Sequence, residues 1–172
     1  MNKPVVTASN AISAKMVVFE IPKNQGLLAA IGTVTLRHSQ MDHIFRMTIK
    51  TLSGVSIPDA MNATRFEGSR ALRERIRKLA KAKLSEGAAL IRLQALLERC
   101  RRATEKRNEL VHGVWYRNVD SETLMHIDGH DVKGIPTIAT LDSLAGELLK
   151  LTRELNTARM KGFLAAALAN KK

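Results

Sequence analysis

Residues 90–113 read LIRLQALLERCRRATEKRNELVHG, and this stretch decides the fold. A stripe with steps of three and four residues runs through Leu90, Leu93, Leu97, Cys100, Thr104, Arg107 and Val111. That period places the stripe on one face of a helix, which Gly113 is expected to end. The charge of Arg107 interrupts an otherwise apolar seam, and an unpaired buried charge is costly. We therefore expect Arg107 to be paired, or to face a cleft or a partner subunit.

Three further helices are predicted by the same period on either side of this stretch. The first runs from Leu27 to Leu52, and its apolar stripe includes His38. The second begins near Ser69, a residue type that favours the N-cap position. The last is capped by Thr140 or Asp142 and carries a leucine stripe. Short connections between such helices favour antiparallel neighbours in a bundle.

A small β element is predicted between the third and the last helix. Residues 114–116 and 123–127 are rich in β-branched, aromatic and apolar side chains, and Asp128-Gly129 is a strong turn signal. The fold class is therefore all-α, a four-helix bundle-like domain with a small β-hairpin insertion before the last helix. We expect residues 1–24 to form an N-terminal arm and residues 25–172 to form a single helical domain.

The charge of the chain is concentrated in one region. The formal net charge is +12, and the 14 Lys or Arg against 5 Asp or Glu between Arg65 and Arg107 account for +9 of it. Such a basic surface is typical of proteins that bind polyanions, with nucleic acid first among them. The expected nucleic-acid-binding residues are Arg70, Arg73, Arg77, Lys81, Arg99, Arg102 and Lys106. A solvated charged helix face remains the alternative for the second helix.

Several other classes of protein are not supported by the sequence. The single cysteine, Cys100, excludes an internal disulfide and fits a reducing compartment, so we expect a cytoplasmic protein. No apolar run approaches the roughly 20 residues that span a bilayer, so no membrane association is expected. His126 and His130 flank a turn without the spacing of a zinc site. We expect neither a metal nor a cofactor.

The candidate chemistry lies in Arg107-Asn108-Glu109-Leu110-Val111-His112. His112 stands at the end of a helix, where the helix dipole favours its protonated form, and histidine titrates near neutral pH. At about 100° per residue, Asn108 and His112 share a helix face, whereas Arg107 and His112 are offset around the axis. One copy of the motif therefore makes a broad site, and a second copy facing it would complete a narrower one.

These residues resemble the motif of the HEPN domain family, which is Arg, four to six residues, then His near the end of the third helix of a four-helix unit. Here four residues separate Arg107 from His112, and Asn108 and the following Gly113-Val114-Trp115 match many members. Asp42 corresponds to an acidic position in the first helix of many members. The resemblance covers roughly residues 27–155.

The resemblance implies a metal-independent endoribonuclease whose composite active site forms in a homodimer. The implied catalytic residues are Arg107, Asn108, His112 and Asp42, with Asp42 holding Arg107 and His38 lining the same cleft. His112 would transfer a proton and Arg107 would stabilise the charge that develops on the phosphate. Toxins of toxin-antitoxin pairs and phage-defence nucleases are the implied biological classes, with RNA and a cognate antitoxin or regulator as partners.

Each assignment has a structural alternative that the residue pattern leaves open. Arg107 would also serve by pairing with Asp42 or Glu109 to join helices, and His112 by capping the third helix. His38 would also serve as a satisfied core residue. The whole chain would then be a non-catalytic nucleic-acid or nucleotide-binding module, or a helical interaction module, of the same fold.

Overall fold

The computed structural model describes residues 17–84, 86–119, 121–128 and 131–170, which form six helices and four short strands. In chain order these are β1 (Val17–Phe19), α1 (Gln25–Ser53), α2 (Ile57–Ala63), α3 (Ser69–Lys83), α4 (Ala88–His112), β2 (Val114–Asn118), β3 (Leu124–Asp128), β4 (Asp131–Lys133), α5 (Ile138–Lys161) and α6 (Phe163–Ala169). The predicted class is confirmed, because the chain is mostly helical with a small antiparallel sheet.

The four long helices, α1, α3, α4 and α5, bury one continuous apolar core. α1 packs against α5 and α3, and α4 packs against α5, α1 and α3. Phe45, Leu72, Leu97 and Leu148 contribute one fully buried side chain from each of these helices. Burial of apolar area is the main stabilising contribution to such a fold. Cys100 is part of this core, as the sequence predicts.

The ends of α1 show why the sequence begins and ends a helix there. The side chain of Asn24 accepts a hydrogen bond of 3.0 Å from the backbone N–H of Leu27, which caps the first turn. The helix ends at Gly54, whose φ of 71° lies in the left-handed region that glycine adopts at low cost. The N–H of Gly54 donates to the carbonyl of Lys50 at 2.9 Å. These two residues define a helix of 29 residues, slightly longer than the predicted stripe.

The sheet is larger than the predicted hairpin. Its strands are antiparallel in the order β1-β2-β3-β4, and Phe19 of β1 faces Tyr116 of β2 in the register. Residues 1–16 of the predicted N-terminal arm lie outside the described residues, whereas residues 17–19 form the edge strand. An ion pair of 2.8 Å between Arg117 and Glu20 accompanies this pairing.

Some expected helix boundaries are wrong. The N-cap of α3 is Gly68, so Ser69 is the first helical residue and not the cap. The N-cap of α5 is Thr137, whose side chain accepts from the N–H of Thr140 at 3.1 Å, and neither Thr140 nor Asp142 has this role. The short helices α2 and α6 were not predicted, because seven residues are too few to show a helical period.

Candidate active site

A cleft of about 560 Å³ opens between α1, the beginning of α3 and the last turns of α4. The residues expected to be catalytic, Asp42, Arg107, Asn108 and His112, all line this cleft, and so does His38. Residues from three helices that are far apart in the sequence therefore share one site. The distances between these residues along the chain do not indicate that they lie close together. Only the helical stripes, which show the faces that the helices bury, point to a common site.

His38, Asp42 and Ser69 form a hydrogen-bonded cluster on one wall of the cleft. Ser69 Oγ donates to Asp42 Oδ1 at 2.6 Å and lies 3.3 Å from His38 Nε2. His38 Nδ1 lies 3.7 Å from Asp42 Oδ2. Because the Ser69 proton is directed to Asp42, the contact with His38 requires a proton on Nε2. Ser69 is thus a site residue, although the sequence predicts it only as a helix cap.

His38 is 4% exposed, and this burial lowers its pKa below the ordinary value of 6.5. The carboxylate of Asp42 acts in the opposite direction and raises the pKa, whereas the cations Arg107 and Arg73 lower it further. His38 is therefore expected to be neutral at pH 7. Its burial on the α1 stripe also agrees with the alternative of a satisfied core histidine.

Arg107 is half-buried, and its guanidinium is only partly satisfied. Its Nη1 donates to Asn108 Oδ1 at 3.1 Å, while its Nε is buried without a hydrogen-bond partner among the described residues. The expected ion pair between Asp42 and Arg107 is absent among those residues, since the oxygens of Asp42 contact Ser69 and His38. The notion that Asp42 holds Arg107 is therefore wrong, and Asn108 is the observed partner.

His112 is the last residue of α4 and is exposed at the mouth of the cleft. Gly113 ends the helix, as the sequence predicts, and its backbone is extended. No hydrogen bond joins the His112 side chain to another described residue, so the alternative of a helix cap receives no support. The imidazole is accessible to a ligand or to a second copy of the chain.

Arg73 does not lie on the exposed basic face on which the sequence places it. Its side chain is 5% exposed, and Nη1 donates to Thr104 Oγ1 at 3.3 Å. A sequence signal for this orientation exists, because Arg73 precedes the inward Ile76 by three residues and Ala80 by seven. Because α3 contains many arginines, the residue pattern predicts Arg73 on the charged face of the helix.

The remaining predicted nucleic-acid-binding residues are on the surface, but most are paired. Those within 4.0 Å of a glutamate are Arg70 with Glu74, Arg77 with Glu98, Arg99 with Glu154, Arg102 with Glu98 and Lys106 with Glu147. These cations are paired partly by Glu147 and Glu154 of α5, which lie outside the basic stretch of residues 65–107. Lys81 alone of the surface set has no ion pair among the described residues. Only Arg70 and Arg73 of the predicted set line the cleft.

No group of three or more potential metal-ligating side chains occurs among the described residues. His126 is buried beside Trp115, with 4.8 Å between the ring centroids, while His130 is not among the described residues. Within the described part of the chain, no helix is both long and apolar enough to cross a bilayer.

Comparisons with known proteins give no match to a family model, to a curated protein or to a solved structure.

Proposed function

We propose that this protein is a metal-independent endoribonuclease of the HEPN type that acts as a homodimer. One observation carries the proposal: Arg107, Asn108 and His112 share a cleft with His38 and Asp42 from another helix. A cation that can stabilise charge on a phosphate and an exposed imidazole that can transfer a proton line one cavity, and phosphoryl transfer without a metal can use both groups.

The proposed reaction is attack of the RNA 2′-hydroxyl on the adjacent phosphorus. The 2′-oxygen loses its proton to a base and forms the new P–O bond, and the bond from phosphorus to the 5′-oxygen breaks. The leaving oxygen takes a proton, so the products are a 2′,3′-cyclic phosphate and a 5′-hydroxyl. His112 is the proton-transferring residue, and Arg107 stabilises the negative charge on the phosphate oxygens.

The buried cluster has a positioning role in this mechanism. Asp42 accepts from Ser69 at 2.6 Å and keeps that hydroxyl against the Nε2 atom of His38. This arrangement holds the wall of the cleft rigid opposite the motif. Asn108 holds the guanidinium of Arg107 through the contact of 3.1 Å. Rigid support of this kind is what a preorganised site requires.

The proposed dimer rests on the exposure of His112. A single copy provides one exposed imidazole at the end of α4, and two copies related by a twofold axis would provide a pair of them across one groove. Sedimentation at micromolar concentration is expected to show a dimer. A strictly monomeric protein with full ribonuclease activity would exclude the composite site.

The first experiment is cleavage of a mixed pool of single-stranded and structured RNA in EDTA. Wild-type protein is expected to cleave, while Arg107→Ala and His112→Ala lose at least about 100-fold in rate with folding intact. Matched controls are Arg153→Ala in α5 and His43→Ala in α1, which are exposed and do not line the cleft. Loss of activity in the controls alone, or persistence in both motif variants, would refute the assignment.

A non-catalytic nucleotide-binding module of the same fold is the second candidate. The surface ion pairs favour it, since cations already held by glutamates contribute less to binding of a long polyanion. RNA binding without any cleavage in EDTA would select this candidate. A separate experiment tests the role as a toxin or phage-defence nuclease. Expression of the wild-type protein should arrest cell growth, expression of Arg107→Ala should not, and a cognate antitoxin should relieve the growth arrest.

A further inference from the structure

Arg73 is a buried cation with a donor that the described residues do not satisfy. One of its nitrogens, Nη1, donates to Thr104 at 3.3 Å, and its Nε is buried without a partner among the described residues. The guanidinium carbon lies 6.0 Å from the centre of the Phe45 ring, which supports one face of the group. Although the side chain is 5% exposed, it lines the cleft.

No carboxylate neutralises this charge at contact distance among the described residues. Asp42 and Glu105 act on Arg73 electrostatically from beyond ion-pair distance, and burial lowers the pKa of the guanidinium. An arginine buried without an ion pair is unfavourable unless something else compensates it. Arg107 also has an incompletely satisfied guanidinium, because its Nε is buried without a hydrogen-bond partner among the described residues. Two incompletely satisfied guanidiniums therefore line one cleft.

The beginning of α3 adds further donors to the same cleft. Gly68 provides no side-chain cap, and Ser69, Arg70 and Ala71 line the cavity. The backbone N–H groups of a first helical turn have no partners within the helix and carry partial positive charge. An anion is the ligand that such a turn favours.

The charges around the cleft match a single phosphate group. Arg70 is paired with Glu74 at 3.1 Å, and Asp42 is engaged by Ser69 and His38. Arg73 and Arg107 are then the cleft arginines without an ion pair among the described residues. Guanidinium donors are well suited to phosphate oxygens.

We propose that Arg73, Arg107 and the first turn of α3 form a phosphate-binding site that is complete within one copy of the chain. Arg73 is thereby a substrate-binding residue outside the Arg107 to His112 motif. The identification of an RNA phosphodiester as its natural ligand rests on the proposed function, whereas the site itself does not. A terminal phosphomonoester has the same chemistry and is the other source of the phosphate.

The test is calorimetric titration of the full chain with three probes: inorganic phosphate, uridine 3′-monophosphate, and a uridine dinucleotide whose first sugar is 2′-deoxy and which cannot be cleaved. Wild type is expected to bind phosphate groups, and Arg73→Met to bind about tenfold or more weakly. The control is Lys78→Met, an exposed cation of the same helix that does not line the cleft, and it should bind as wild type does. Tighter binding of the dinucleotide assigns the site to a chain phosphate, and tighter binding of the monophosphate assigns it to a terminal one.

Arg73→Lys keeps the experiment decisive if Arg73→Met does not fold. Lysine retains the charge but not the fork of donors, so weaker binding than wild type is expected. The site would be overturned if either folded variant bound phosphate within about twofold of wild type. It would also be overturned if wild type did not bind phosphate at about 10 mM, a concentration on the order of physiological phosphate pools. Cleavage that survives unchanged in Arg73→Lys, although phosphate binding is weakened, refutes the RNA phosphodiester as the ligand of this site, whereas phosphate binding without cleavage refutes the nuclease alone.

Discussion

Replacement of Gly113 by alanine is expected to destabilise the protein through steric contacts next to His112. A Cβ atom at this position would lie 1.9 Å from His126 Nε2 and 2.5 Å from His126 Cε1, and 2.8 Å from the carbonyl oxygen of Glu109. The backbone at Gly113 has a φ of −69° and a ψ of 153°, which any residue adopts. The cost of the change is therefore steric and not conformational.

The imidazole of His126 has little room to move away. It is 3% exposed, and its ring lies 4.8 Å from the ring of Trp115. Insertion of a methyl group into such a packed region typically costs about 1–3 kcal/mol. For a chain of this size, each kcal/mol lowers the Tm by about 2–4 °C. We expect losses of this order for Gly113→Ala.

Urea unfolding followed by circular dichroism measures the change. The control is Gly146→Ala in α5, where a Cβ would meet no atom within 4 Å, and we expect it to stabilise the helix by about 0.5–1 kcal/mol. In a His126→Ala background, the part of the penalty that comes from the imidazole should disappear, whereas the contact with the carbonyl oxygen of Glu109 remains. Unchanged stability of Gly113→Ala, or an equal loss in both backgrounds, would refute this reasoning.

Three further changes follow from the described contacts. The lowered pKa of His38 means that the unfolded chain binds the proton more strongly than the folded chain does. The free energy of unfolding should therefore fall as the pH drops below about 6.5, by at most about 1.36 kcal/mol per pH unit. In urea unfolding, His38→Gln should flatten this pH dependence, whereas replacement of the exposed His43 by glutamine should not. Burial raises the pKa of Cys100 to about 12, and native protein should therefore resist iodoacetamide at pH 8 until denaturant is added; rapid labelling would contradict its core position. Thr137→Ala removes the cap of α5 and should cost about 1 kcal/mol, and a loss below about 0.3 kcal/mol would show that another group satisfies that turn.

The sequence predicts the long helices well because their apolar stripes correspond to one buried face. Leu97 and Leu148 lie on predicted stripes and are fully buried. The pairing of β1 with β2 was not predicted, since Val17 and Asn118 are joined across about a hundred residues and no local pattern encodes such a contact. Pairings between distant segments are thus what the sequence does not predict.

The candidate site was predicted in its members but not in its contacts. Helical spacing and the motif identify Arg107 and His112, and the structure brings both to one cleft. The predicted contact between Asp42 and Arg107 is wrong, because Asp42 contacts Ser69. The choice between Ser69 and Arg107 depends on how α3 and α4 approach α1. Arg73 was assigned to solvent because its residue type outweighed its position one turn before Ile76. Interhelical distances of a few Å decide such contacts, and the order of residues does not encode them directly.

The ion pairs on the basic surface lead to a quantitative expectation for RNA binding. For single strands, the slope of log K against log salt is about −0.7 for each phosphate that a cation neutralises. If all seven predicted residues contacted phosphates, the slope would be about −5. If the glutamates keep their partners and only Lys81, Arg73 and Arg107 engage phosphates, the slope is about −2. We expect the shallower slope in fluorescence anisotropy with a short uncleavable single strand, and a slope near −5 would show that further cations of the basic surface contact phosphates.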